Sequence, residues 1–136
     1  MRTNPYLLLI SLCLAASLSH AQEEPEPVKE VHYFDLDPNI ITNYQKPPSR
    51  RLGFITIDVQ FQVSSVANLD ALEYHKPLIE DTLIDVINSQ DETIIKDIAQ
   101  RNAIRDKIKQ RLSAVLKEET GEPIIEDVLF TKFIYQ

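Results

Sequence analysis

The chain has 136 residues, 21 acidic against 14 basic side chains, a formal net charge of −7, one cysteine and two glycines. That balance argues against nucleic-acid binding, which needs clustered cations to neutralise phosphates. Two glycines leave no phosphate-cradling loop or dinucleotide fingerprint, and a lone Cys13 forms no internal disulfide, so core packing or association must hold the fold together.

The first element is the apolar run from Tyr6 to Leu18. It is shorter than the roughly 20 residues that span a bilayer and matches the about 7–15 of a secretory signal. Arg2 supplies the positive start, and Ser19-His20-Ala21 puts small residues three and one positions before Gln22. A signal peptide over 1–21, cut between Ala21 and Gln22, is predicted; the alternative is a short retained anchor. Leu12 stands where a lipoprotein signal needs a small residue before Cys13. After the cut, 115 residues remain with 13 basic and 21 acidic side chains, a size that suits one domain.

Residues 22–32 are acidic and Pro-rich and read as a tether. Tyr33–Leu36 reads as a short edge strand. The stretch from Asp37 through Pro38, Pro47 and Pro48 to Arg51 reads as loop. Asp35-x-Asp37-x-Asn39 opens like a calcium loop, but Ile40 replaces the required glycine and Lys46 the closing glutamate. Turn chemistry around Asp37-Pro38 is the simpler reading.

Residues 52–64 alternate strictly. Ile55, Ile57, Val59, Phe61 and Val63 fall on one face and Phe54, Thr56, Asp58, Gln60 and Gln62 on the other, which predicts a half-buried strand. From Asn68 the period becomes helical, with Leu72, Ile79, Leu83, Val86 and Ile87 on one stripe. Pro77 inside it predicts a kink or the start of a straight segment, and residues 88–92 end the helix. Asp97 with Gln100 resembles a capping box before a second helix whose stripe is Ile104, Ile108, Leu112, Val115 and Leu116. Arg101, Arg105, Lys107, Lys109 and Arg111 lie outside that stripe, either as a solvated face or as a contact for an acidic neighbour. Gly121 and Pro123 stop the helix.

Residues 124–136 predict a last strand. Period two sets Val128, Phe130 and Ile134 on one side and Leu129, Thr131, Phe133 and Tyr135 on the other. Apolar residues on both sides point to a neighbour, so Phe130, Phe133 and Tyr135 are candidate self-association residues. The expected fold is α+β, a small antiparallel or mixed sheet with two helices on one face.

No catalytic constellation is legible. His32 and His75 have no second histidine or cysteine at ligand spacing, and no Gly-x-Ser-x-Gly elbow is present. The expectation is a non-enzyme without metal or cofactor.

Three stretches read together resemble the FliL family of flagellar basal body-associated proteins: YFDLDPNIITNY (33–44), ITIDVQFQV with HKPLIEDTLIDVINSQ, and LKEETGEPIIEDVLFTKFIYQ. The resemblance covers residues 33–136. It implies a periplasmic domain similar to the stomatin-like (SPFH) fold, and an interaction protein that self-assembles, in rings, beside stator and basal body proteins and supports torque, swimming and swarming. It places Phe34, Leu36, Ile40 and Ile41 near the membrane as candidate stator contacts. Members of that family carry a full transmembrane helix, whereas this chain has the signal-like run, so membrane association is expected through partners unless the run is retained. The competing function is a periplasmic ligand-binding or envelope-adaptor domain without a motor role.

Overall fold

The computed structural model describes residues 30–47 and 52–136. The predicted cleavage site and almost all of the tether lie outside them. The central element is β3 (Gly53–Val63), whose odd-numbered residues are all buried and whose even-numbered ones are not. This is the alternation expected for one dry and one wet face.

Both edges of β3 are paired antiparallel. On one side runs β4 (Asp127–Tyr135), with Phe61 opposite Val128 and Ile55 opposite Tyr135. On the other run two short strands end to end, β1 (His32–Asp35) against Val63–Gln60 and β2 (Ile40–Tyr44) against Ile57–Gly53. The sheet is thus wholly antiparallel among the described residues. Two boundaries differ from expectation. His32, assigned to the tether, begins β1. Residues 40–44, assigned to loop, form β2, because Ile40 and Tyr44 turn inward and are buried while Ile41 and Asn43 turn outward. The flanking prolines hid a period-two pattern that is only five residues long.

The two expected helical regions resolve into four helices. Val66–Tyr74 (α1) is capped by the Ser65 hydroxyl, which accepts from the Asn68 amide. A break at His75 separates it from α2 (Lys76–Asn88), in which Pro77 occupies the first turn, where its missing N–H costs nothing. Glu92–Lys96 (α3) is a helix too short to leave a periodic signature. Asp97 caps a 3-10 turn at residues 98–100 by accepting from the Ala99 amide, and α4 (Arg101–Thr120) follows. Gly121, with φ 86°, closes α4 in the left-handed conformation that a side chain resists.

The helices cover only the odd-residue face of the sheet: α1 packs on β1, α2 on β2 and α4 on β4. Leu72, Ile79, Leu83 and Ile87 from α1 and α2, and Ile104, Ile108, Leu112 and Leu116 from α4, meet Ile55, Ile57, Val59 and Phe61 in one core. Each such side chain contributes about 1.5–3 kcal/mol on burial. The β2–helix seam is sewn by hydrogen bonds: Thr42 Oγ1 to Asn88 Oδ1 at 2.7 Å, the Gln45 amide to the Gln90 carbonyl, and the Glu92 amide to the Gln45 carbonyl, both at 2.9 Å.

The last strand corrects the sequence reading in one respect. Its register shifts between Asp58 and Val59, so that Asp58 pairs with Lys132 and Val59 with Phe130, leaving Thr131 as an extra residue. A one-residue bulge reverses the side on which later residues point. Phe133 and Tyr135 therefore join Val128 and Phe130 on the core side, partly buried against it, and the Phe130 and Phe133 rings lie 5.2 Å apart.

Deleting Thr131 is expected to close the bulge and keep Phe133 opposite Ile57 and Tyr135 opposite Ile55 on the core side, within about 1 kcal/mol of the wild type, whereas Phe133→Asp, which sets a carboxylate against the core, should cost on the order of 2 kcal/mol. Urea unfolding of both variants measures the difference; a deletion as destabilising as Phe133→Asp would reject the bulge. A second expectation concerns Asp91, the N-cap of α3, whose carboxylate accepts from the Thr93 and Ile94 amides. Hydrogen bonds from the Thr93 side chain and then the Ile94 amide hold its carboxyl below the ordinary value of 3.8. Its cap therefore stabilises the fold above that pH and weakens as pH falls through and below it. Asp91→Ala should lower the melting temperature at pH 7, and the gap to wild type should narrow below pH 3.8.

Candidate functional site

The even-residue face of β3 has no helix over it among the described residues. Its register assembles one row after another. Thr56 has Ile41 of β2 on one side and Ile134 of β4 on the other. One pair further along, Phe54 stands opposite Asn43. Ile41 is 66% exposed, Phe54 50% and Ile134 52%, and Leu52 just before β3 is exposed too. Neighbouring strands lie about 4.8 Å apart, so these side chains form one apolar patch at the β2 end of the open face. Single exposed apolar residues are ordinary, but adjoining ones mark contact surfaces.

Beyond the patch the face becomes polar. Both neighbours of β3 break register at the same level, that of Asp58 and Val59: Leu36–Asn39 bulges out between β1 and β2, and Thr131 out of β4. The Leu36 amide still donates to the Val59 carbonyl at 3.0 Å. The two interruptions leave a concavity of about 470 Å³, with Asp35, Asp37, Asn39, Asp58 and Lys132 among its walls. Lys132 Nζ donates to Asp58 Oδ2 at 2.8 Å, while Asp58 Oδ1 is shielded from solvent without a hydrogen-bond partner. Asp35 accepts from Gln60 Nε2 at 2.7 Å. The Asp37–Pro38 peptide is cis, and Lys76 Nζ donates to the Asp37 carbonyl, tying this turn to α2. Among the described residues no three His, Cys, Asp or Glu side chains converge for a metal ion.

The sequence-based candidates divide across this geometry. Of Phe34, Leu36, Ile40 and Ile41, only Ile41 lies on the open face. Leu36 and Ile40 are buried, at 4% and 6% exposure, and Phe34 stacks on Phe61, centroids 6.4 Å apart, on the core side. Phe130, Phe133 and Tyr135 are likewise on the core side, and the Arg101 guanidinium sits 4.3 Å over the Phe133 ring. The residues missed were Phe54, Ile134 and Leu52. Phe54 was legible as the one large apolar residue on the polar side of β3, and Ile134 was displaced from its face by the bulge.

Among the described residues no helix is long and apolar enough to cross a membrane. Residues 33–136 match the family described as flagellar basal body-associated protein FliL. The flagellar protein FliL of Aquifex aeolicus (strain VF5) is 24% identical over 103 residues, 76% of this chain and 60% of that protein. The chain thus spans about three fifths of the length of the curated relative it matches.

Adjacent residues on β2 give a direct check of the two faces. Ile40→Asp should cost on the order of 3 kcal/mol or more by burying a carboxylate, while Ile41→Asp should change stability by less than about 1 kcal/mol. Thermal unfolding followed by circular dichroism distinguishes them.

Proposed function

The chain belongs to the FliL family of flagellar basal body-associated proteins, and we propose on that premise that it is a non-enzymatic accessory of the flagellar motor. In this reading it works in the periplasm, self-associates, and contacts stator or basal body proteins, supporting torque, swimming and swarming. Its domain is stomatin-like, an α+β unit suited to ring assembly, and its hold on the membrane comes through partners once the Ala21–Gln22 bond is cut.

The observation that carries this reading is the open sheet face. A helix-backed sheet whose bare side shows Ile41, Phe54 and Ile134 presents a rigid, partly apolar platform of the kind that binds another protein. Contact with the stator then centres on Ile41 with Phe54 and Ile134, while Leu36 and Ile40 act from beneath by fixing β2 on the core. Phe130, Phe133 and Tyr135 act from the core side, by holding β4 in the register that presents Ile134.

The test is genetic. A strain lacking the gene should spread less in soft agar and swarm less on a viscous surface, and wild-type protein should restore both. Ile41→Asp/Phe54→Asp, expressed at wild-type level, should not. Unimpaired swarming in the deletion strain would overturn the motor role; full rescue by the double variant would move the contact off this face. Intact mass of the protein from the periplasmic fraction should begin at Gln22.

A further inference from the structure

The basic run on α4 has no part in the open-face reading. Of its first members, Arg101 covers Phe133 of the sheet, and Arg105 is part-buried beside its helix neighbour Asp106 at 3.8 Å. Lys107 and Arg111 differ. They lie four residues apart, both exposed, and neither makes an ion pair among the described residues. On α2, Asp81 and Asp85 also lie four residues apart, exposed and without an ion pair. Asp85, Lys107 and Arg111 line one groove between α2 and α4, about 470 Å³ in volume, with Val86 and Ala114 among its apolar lining.

We propose that this groove docks a second copy of the same chain, the acidic wall of each copy lying on the basic wall of the other. Residues four apart on a helix are separated by about 6 Å along its axis, so Asp81/Asp85 and Lys107/Arg111 have the same pitch. Asp85 and the basic wall share the groove, with Asp81 one turn earlier on α2, so the surface is self-complementary: a half-turn brings acid to base twice and makes a dimer, the unit from which a larger ring would be built. An anionic lipid surface fits less well, because the Asp81/Asp85 wall beside the cations would repel it. Each exposed pair adds little by itself; four together fix register and choose the partner, while Val86 and Ala114 add an apolar floor. The inference rests on the self-association reading above and names its surface.

Sedimentation velocity of the full chain, as processed in the cell, tests it. Wild type should associate in about 20 mM salt and less in about 500 mM, where charges are screened within about 4 Å. Lys107→Glu/Arg111→Glu and Asp81→Lys/Asp85→Lys should each weaken association at low salt by about tenfold or more with unchanged melting curves, since all four residues are exposed. An equimolar mixture of the two variants should associate again, because one groove is then all acid and the other all base. Association of either variant as strong as wild type, or a mixture that stays monomeric, overturns the groove. So does loss of binding to phosphatidylglycerol vesicles by Lys107→Glu/Arg111→Glu with association intact, which would mark a lipid surface. Wild type that is monomeric in both salts overturns self-association itself.

Discussion

The structure depends on the two-residue period of β3. Its odd residues are all buried and its two edges receive β4 on one side and β1 with β2 on the other. A strand in that position sets the register of the whole sheet, because every other strand pairs with it. It also decides where the helices can go. Ile55, Ile57, Val59 and Phe61 present the one continuous apolar surface onto which the stripes of α1, α2 and α4 can be laid, and the opposite side, with Asp58, Gln60 and Gln62, cannot pay for the same burial. The asymmetry of the domain, covered on one face and bare on the other, follows from an alternation in eleven residues.

The departures from that regularity are concentrated at one level. Leu36–Asn39 and Thr131 interrupt the two flanking strands opposite Asp58 and Val59. A bulge raises local twist and re-aims the side chains beyond it. At β4 it brings Phe133 and Tyr135 to the core side and Ile134 to the open side; between β1 and β2 it places Leu36 in the core while Asp35 and Asp37 line the concavity. The acidic concavity and the place of Ile134 in the apolar patch are therefore consequences of two interruptions at one level.

Much of the fold was legible because its signals are long. Eleven alternating residues in β3, and helical stripes such as Ile104–Ile108–Leu112–Leu116, leave little choice of period, and Gly121 and Pro77 mark helix ends for steric reasons that need no tertiary context. Short elements were not legible: β2 has five residues between prolines, and α3 has five. The candidate site was less legible than the fold, since a face is defined by pairing partners distant in sequence. Ile41 and Ile134 are neighbours only through Thr56, and the extra residue at Thr131 alters which of the last strand's residues belong to which face. Counting by twos along 127–135 cannot reveal a bulge. Residues 33–44 carry the family resemblance both where they pack, as at Leu36 and Ile40, and where they are exposed, as at Ile41, so resemblance alone does not separate core residues from surface ones.

The two surfaces lie on opposite layers, the apolar patch on the bare sheet and the charged groove on the helices. Their chemistries suit different tasks. An apolar patch on a stiff sheet gains from desolvation and tolerates salt, which suits a lasting contact with a larger assembly. A groove of exposed charges is steered over distance and screened by salt, which suits a contact that must be selective among similar acidic chains. Because the layers share one core, neither surface requires the other to rearrange: α2 and α4 are fixed by Ile79, Leu83, Ile108 and Leu112, the sheet by Ile57 and Phe61, and these side chains touch within a single cluster. A two-layer domain of this kind leaves both layers open at the same time, so the proposed contacts with a second copy and with a partner do not compete for surface.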